Sequence, residues 1–274
     1  MATCYRHPSR ETGVSCSNCG RPICPDCMTT TPVGMRCPEC AKQRTKVVRM
    51  RELAKIPRVT YTLIAVNVLV FLTEQGQFTL AGSTIHGSVV DEGFLFREAL
   101  AHPHDQYWRL FTSAFIHENL LHIGFNMYLL YLLGLMLEPA IGSVRFAVIY
   151  FAALFTGAFG VVFSTATASL GASGAIFGLM GAAVVELRAR GLSVRESGIG
   201  GLIVINLVFS FLVPNIAIGD HIGGLIGGFI AGYFIRTADE RRAPALGIAA
   251  CVLLSAAAVA GAIAVSGATG SGFA

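Results

Sequence analysis

Seven stretches of the chain are almost free of charge, and the polar residues gather between them. The apolar runs cover residues 59–72, 120–137, 144–163, 170–187, 198–213, 222–235 and 245–265. A helix that crosses the hydrocarbon core of a bilayer needs about 20 mostly apolar residues, so the pattern predicts seven spans. The first is the weakest, because it is short and carries Asn67. Between the first two runs, residues 73–119 mix Phe78, Leu80, Phe94, Leu95, Phe96 and Leu100 with polar positions. An uncovered loop of that length is uncommon, which predicts helical pieces lying at the membrane interface. Trp108 and Arg109, near its end, suit the headgroup level, with a ring in the apolar layer and a cation in water. Ahead of residue 59 the pattern is different. The first fifty residues are polar and cysteine-rich, with no cleavable signal peptide in view.

Composition agrees: of 274 residues, 54% are hydrophobic and 13% charged, and 31 are glycine. That excludes an ordinary soluble domain and predicts an all-α polytopic membrane protein. The net charge is +4, and its placement says more than its size. Lys42, Arg44, Lys46, Arg49, Arg51, Lys55 and Arg58 precede the first run. Arg145, then Arg188, Arg190 and Arg195, then Arg236, Arg241 and Arg242 occupy alternate connections, and residues 164–169 and 214–220 have no Lys or Arg. Positive charge stays on the cytosolic side, so the N-terminus is expected there and the C-terminus outside. The basic segment 42–58 reads as a linker and topology signal facing the lipid bilayer, and no nucleic-acid partner is expected.

Residues 1–41 form a separate unit. Cys4-x2-His7, Cys16-x2-Cys19, Cys24-x2-Cys27 and Cys37-x2-Cys40 are four pairs, each with two residues between its members. That spacing lets a tight knuckle offer two ligands to one tetrahedral ion, so eight ligands complete two zinc sites. Disulfides are the competing use, but the expected cytosolic side is reducing. A cross-brace, with pairs one and three on one ion and two and four on the other, is the favoured pairing; sequential pairing is the alternative. Four protein ligands per ion leave no open position, which makes the metal structural and not catalytic. The unit resembles small treble-clef or B-box-type zinc domains, and that resemblance implies a binding role toward a cytosolic protein.

The polar residues inside the runs carry the chemistry. His122 and Asn126 are four apart on one face of the second run, with His117 just before it, and in lipid such residues should point into the bundle. Both can donate hydrogen bonds to a developing oxyanion. Ser173 sits among Gly171, Ala172 and Gly174 at the start of the fourth run, where a helix N-terminus favours negative charge. His221 opens the sixth run above Gly224, Gly228 and Gly232, and Gly174, Gly178 and Ala182 form a matching stripe on the fourth. Both stripes start at the outer end, so Ser173 and His221 should meet at similar depth as nucleophile and base. Asp220, next to His221 in the chain, is expected to act on it by charge proximity and not as an ordinary third triad member.

Taken jointly, Trp108-Arg109, His117-x4-His122-x3-Asn126, Gly171-x-Ser173-Gly174 and His221-x2-Gly224-x3-Gly228 resemble the rhomboid family of intramembrane serine proteases. The resemblance covers roughly residues 56–236. It implies a six-helix core over 59–236 with a seventh transmembrane helix over 245–265 appended. It also implies a Ser173–His221 dyad that cleaves transmembrane or juxtamembrane segments of membrane proteins, with His122, Asn126 and the Ser173 backbone N–H holding the oxyanion and no catalytic cofactor. The family often has Tyr where Phe177 stands, which keeps a ring for stacking but drops the hydroxyl. A catalytically silent relative that binds or escorts clients is the alternative, and it would be expected to lack Ser173 or His221. A channel or transporter fits less well, because the middles of the runs hold no acidic residue and no inverted repeat is apparent.

Overall fold

The computed structural model of the chain describes residues 2–42, 56–73, 88–101, 103–164, 168–213 and 216–270. The chain divides into two compact units, Met1–Ala54 and Lys55–Ala274. Most of the basic linker expected over 42–58, and Phe78 and Leu80 of the long connection, lie outside the described residues.

The first unit is built from two antiparallel hairpins. Strand β1 (Ala2–Thr3) pairs with β2 (Glu11–Thr12), and β3 (Thr29–Thr31) with β4 (Gly34–Arg36) in the register Thr30 to Met35. A 3-10 turn at Pro25–Cys27 and the short helix α1 (Pro38–Lys42) both begin at proline, whose fixed φ and missing N–H suit a first helical position. Its buried cluster is little more than Ile23 and six of the cysteines. So small an apolar core cannot offset chain entropy by itself.

In the second unit every one of the seven apolar runs is a helix. They are α2 (Arg58–Thr73), then, after three short helices in the long connection, α3 (Ser88–Gly93), α4 (Arg97–Leu100) and α5 (Arg109–Thr112), the series α6 (Leu120–Ile141), α7 (Ser143–Ser164), α8 (Ser173–Ala189), α9 (Ile199–Leu212), α10 (Ile218–Glu240) and α11 (Pro244–Gly270). Among the described residues α6, α7, α10 and α11 are long and apolar enough to cross a membrane, while α2 and α9 are apolar but shorter. Helix α8 has 17 residues. The protein is an all-α polytopic membrane protein.

Helix α10 is the centre of the bundle, packed against α7, α8 and α11. Glycine makes this possible. A Cβ on Gly224 would stand 2.0 Å from the Gly174 carbonyl oxygen, and one on Gly228 would stand 2.0 Å from that of Gly178. The two stripes expected from spacing therefore meet backbone to backbone, which is how helices gain contact where lipid offers no hydrophobic drive. A further stripe on α10 was not read from the sequence: Cβ atoms on Gly219 and Gly223 would stand 2.4 and 2.5 Å from the carbonyl oxygens of Gly160 and Thr156 of α7. Glycine thus lets α10 sit between two helices at once.

At the other end of the bundle, Glu138 is buried and spans two elements. It accepts the backbone N–H groups of Val59 and Thr60 at 2.9 and 2.8 Å, and the hydroxyls of Thr60 and Ser143 at 2.7 and 2.6 Å. A carboxylate on the first turn of α2 satisfies N–H groups that have no partner inside the helix and complements its dipole.

Candidate active site

Ser173 is the first residue of α8, preceded by Gly171 at φ +109° and by Ala172 as an N-cap without a capping side chain. The loop that delivers it is pinned from outside. Leu95 and Ser169 exchange backbone hydrogen bonds of 2.8 and 2.7 Å, and the Gly171 N–H donates to the Ser113 carbonyl at 2.8 Å. The long connection thus holds the serine loop. Arg109 explains how: it is buried, and its guanidinium donates to the carbonyls of Phe94 and Asp91 at 2.7 and 2.9 Å. This corrects the expectation of a headgroup anchor for Arg109, because three fixed acceptors, with Gln106, satisfy the cation inside the protein. Trp108 stays exposed, its indole N–H on the Glu92 carbonyl at 3.2 Å.

His221 stands on the first turn of α10. Its Nε2 lies 2.8 Å from Ser173 Oγ, and its ring stacks on Phe177 with centroids 4.3 Å apart and planes 21° from parallel. Ser173 is half-buried and His221 buried. On the far side of the imidazole, Nδ1 is 2.6 Å from the hydroxyl of Ser210, a buried residue of α9. Sequence reasoning missed Ser210. A serine in an apolar helix has no spacing that marks it, and its partner is reached only through packing.

The donors expected for an oxyanion lie on α6. The Glu118 N–H donates to His122 Nδ1 at 3.4 Å, which leaves Nε2 as the protonated nitrogen of the neutral ring. That Nε2 faces the serine loop, 2.7 Å from where a Cβ of Gly171 would be, and the Asn126 amide nitrogen is 3.9 Å from the same point. A side chain at residue 171 would block both. Asn126 Nδ2 also donates to the His122 carbonyl at 2.9 Å, which fixes its rotamer. His117 packs its ring on His122 at 5.1 Å, and burial drives its pKa well below the usual histidine range, so it stays neutral.

Asp220 does not face its chain neighbour. Its buried carboxylate fits a slot between α7 and α8 left by two glycines: Oδ1 lies 2.3 Å from a Cβ position on Gly174 and 2.5 Å from one on Gly157. There it lies against Gly174, on the first turn of α8.

In the first unit the eight expected ligands fall into two groups, Cys4, His7, Cys24 and Cys27, and Cys16, Cys19, Cys37 and Cys40. Within each group the ligand atoms lie within 4.8 Å of one another, and none of the cysteines is in a disulfide. Separations such as 3.3 Å from His7 Nδ1 to Cys24 Sγ and 3.8 Å from Cys19 Sγ to Cys37 Sγ suit the edges of a tetrahedron around one ion. The partition is the cross-braced one. Outer contacts support the thiolates: the Cys37 N–H donates to Cys16 Sγ and the Asn18 amide to Cys40 Sγ, both at 3.3 Å.

Residues 104–238, just under half of the chain, match the family model of the Rhomboid domain. The chain is 38% identical over 172 residues to "Rhomboid protease GluP" of Bacillus subtilis, covering 62% of this chain and 33% of that protein. It is 29% identical over 155 residues to "Rhomboid-type serine protease 2" of Emericella nidulans, covering 53% and 30%. It is 34% identical over 119 residues to "Inactive RHOMBOID-like protein 8" of Arabidopsis thaliana, covering 43% and 33%. The chain spans between a third and a half of the length of the first curated relatives it matches. These likenesses fall on the second unit and support a rhomboid-like domain there.

Proposed function

We propose that the chain is an intramembrane serine endopeptidase of the rhomboid family, with Ser173 as nucleophile and His221 as general base. The observation that carries the reading is the 2.8 Å contact between Ser173 Oγ and His221 Nε2, made between the first turns of two apolar helices and backed by the Phe177 ring. A hydroxyl at this distance from an imidazole can pass its proton while it attacks a carbonyl. In the proposed reaction Ser173 attacks the scissile carbonyl of a transmembrane or juxtamembrane segment and His221 takes the proton. His122 Nε2–H, the Asn126 amide and the Ser173 backbone N–H hold the oxyanion. His221 then gives its proton to the leaving amine, and water hydrolyses the acyl-enzyme. The presence of both Ser173 and His221 favours this over a catalytically silent, client-binding role; one plant relative is named as inactive.

The two Cys/His groups are proposed to hold one structural zinc each, with a cytosolic protein as the partner of residues 1–41. The N-terminus is proposed to be cytosolic and the C-terminus outside. Neither zinc site enters the reaction.

Labelling of the purified protein by a fluorophosphonate tests the activity. Wild type should label, and Ser173→Ala and His221→Ala should not. Labelling that persists in Ser173→Ala would place the reactive serine elsewhere. A folded wild type that does not label would favour the client-binding reading.

A further inference from the structure

We infer that Ser210 is a positioning residue: it selects the His221 tautomer that can act as a base. This rests on the reading of Ser173 and His221 given above, and it begins from counting hydrogens. Ser210 Oγ lies 2.7 Å from the Asn206 carbonyl, one turn earlier on α9, and 2.6 Å from His221 Nδ1. The hydroxyl has one hydrogen. A serine inside an apolar helix commonly donates it to the carbonyl four residues back, and the Asn206 geometry is of that kind. Ser210 Oγ is then an acceptor toward the imidazole, so Nδ1 carries the ring hydrogen and donates to it. Nε2 is left with its lone pair facing Ser173 at 2.8 Å.

The opposite tautomer would be unproductive. With hydrogen on Nε2, the ring would donate to Ser173 Oγ. The serine proton would then face no acceptor on the imidazole, which could not take it during attack. Ser210 tips this choice, and it also gives the imidazolium formed during attack a partner for its second N–H. It is buried, so no bulk water substitutes for it. In a triad a carboxylate holds the histidine in this way; here a neutral hydroxyl on a third helix does so.

The test compares wild type, Ser210→Ala and Ser210→Thr in 15N-histidine-labelled protein, with His221→Ala to assign the resonance. Wild type and Ser210→Thr should show His221 protonated on Nδ1, and Ser210→Ala should show a mixture. The maximal fluorophosphonate labelling rate should fall about tenfold in Ser210→Ala, the equivalent of one hydrogen bond, with unchanged half-saturating probe concentration and recovery in Ser210→Thr. A wild-type His221 protonated on Nε2, or a tautomer indifferent to Ser210→Ala in folded protein, overturns the inference. A tautomer that follows Ser210 in a wild type that never labels keeps the inference about His221 and removes the protease reading instead.

Discussion

Replacing Gly224 by alanine should separate α8 and α10, the helices that carry Ser173 and His221, by a distance that can be worked out. The new Cβ would stand 2.0 Å from the Gly174 carbonyl oxygen, 2.7 Å from its carbon and 3.0 Å from its Cα. All three are backbone atoms of α8, so no rotamer change relieves the clash. Ordinary contact begins at 3.4 Å, so α8 and α10 must part by about 1.4 Å at this level. Gly174 follows Ser173 directly and Gly224 lies one turn from His221. The 2.8 Å hydrogen bond between Ser173 and His221 would therefore open beyond hydrogen-bond range. Overpacking of this kind costs about 1–3 kcal/mol of stability, and a misplacement of about 1 Å at a reacting pair can cost about a hundredfold in rate. Gly232→Ala is the matched control: its Cβ would meet Ala182 Cα at 3.0 Å and Cβ at 3.2 Å, so a few tenths of an ångström suffice. The assay is the labelling rate by a fluorophosphonate beside thermal unfolding in detergent. Gly224→Ala should label about a hundredfold more slowly and unfold earlier, and Gly232→Ala should stay close to wild type. Equal labelling rates in Gly224→Ala and Gly232→Ala would refute the reasoning that helix separation sets the Ser173–His221 distance.

Glu138→Gln should cost about 1–3 kcal/mol in unfolding, because an amide cannot accept from four donors as a carboxylate does, while labelling at low temperature stays near wild type. Asp220→Ala should empty the slot beside Gly157 and Gly174; a loss of about 1–3 kcal/mol with slower labelling is expected, and an unchanged unfolding temperature would contradict this packing role. His117 is held neutral by burial, so its pKa in the fold lies below the unfolded value of about 6.5. Its contribution should be complete above that pH and be lost as pH falls below it, at up to about 1.4 kcal/mol per unit, and His117→Phe should flatten this slope in chemical unfolding. Elemental analysis should find two zinc ions per chain, falling by about one in Cys4→Ser or in Cys16→Ser, with residues 1–41 unfolding on chelation.

How much of this was legible depended on whether a residue's partner could be read from spacing. His122 and Asn126, or Gly224, Gly228 and Gly232, declare a common helical face through their separation, and once two stripes are found their meeting follows. The cysteine pairs are legible for the same reason, since each knuckle is local. Glu138 was not, because what it caps begins at Val59, 79 residues earlier in the chain. Asp220 shows the reverse error. Adjacency suggested an effect on His221, yet neighbours on a helix diverge by about 100°, and glycines on two other helices decide where the carboxylate goes. Arg109 reads as an interface cation because its sequence neighbours do not show the carbonyls of the folded connection that receive it. Ser210 belongs with these. Ser173, His221, His122 and Asn126 occupy the first turns of α8 and α10 and one face of α6, where glycine and helix ends leave a signature. Ser210, which is proposed to orient His221, comes from the last turn of α9, where no spacing marks it and only packing reveals it. The Ser173–His221 pair is thus the part of this site that sequence periodicity exposes, and the Ser210 contact to the imidazole is the part that only the fold assembles.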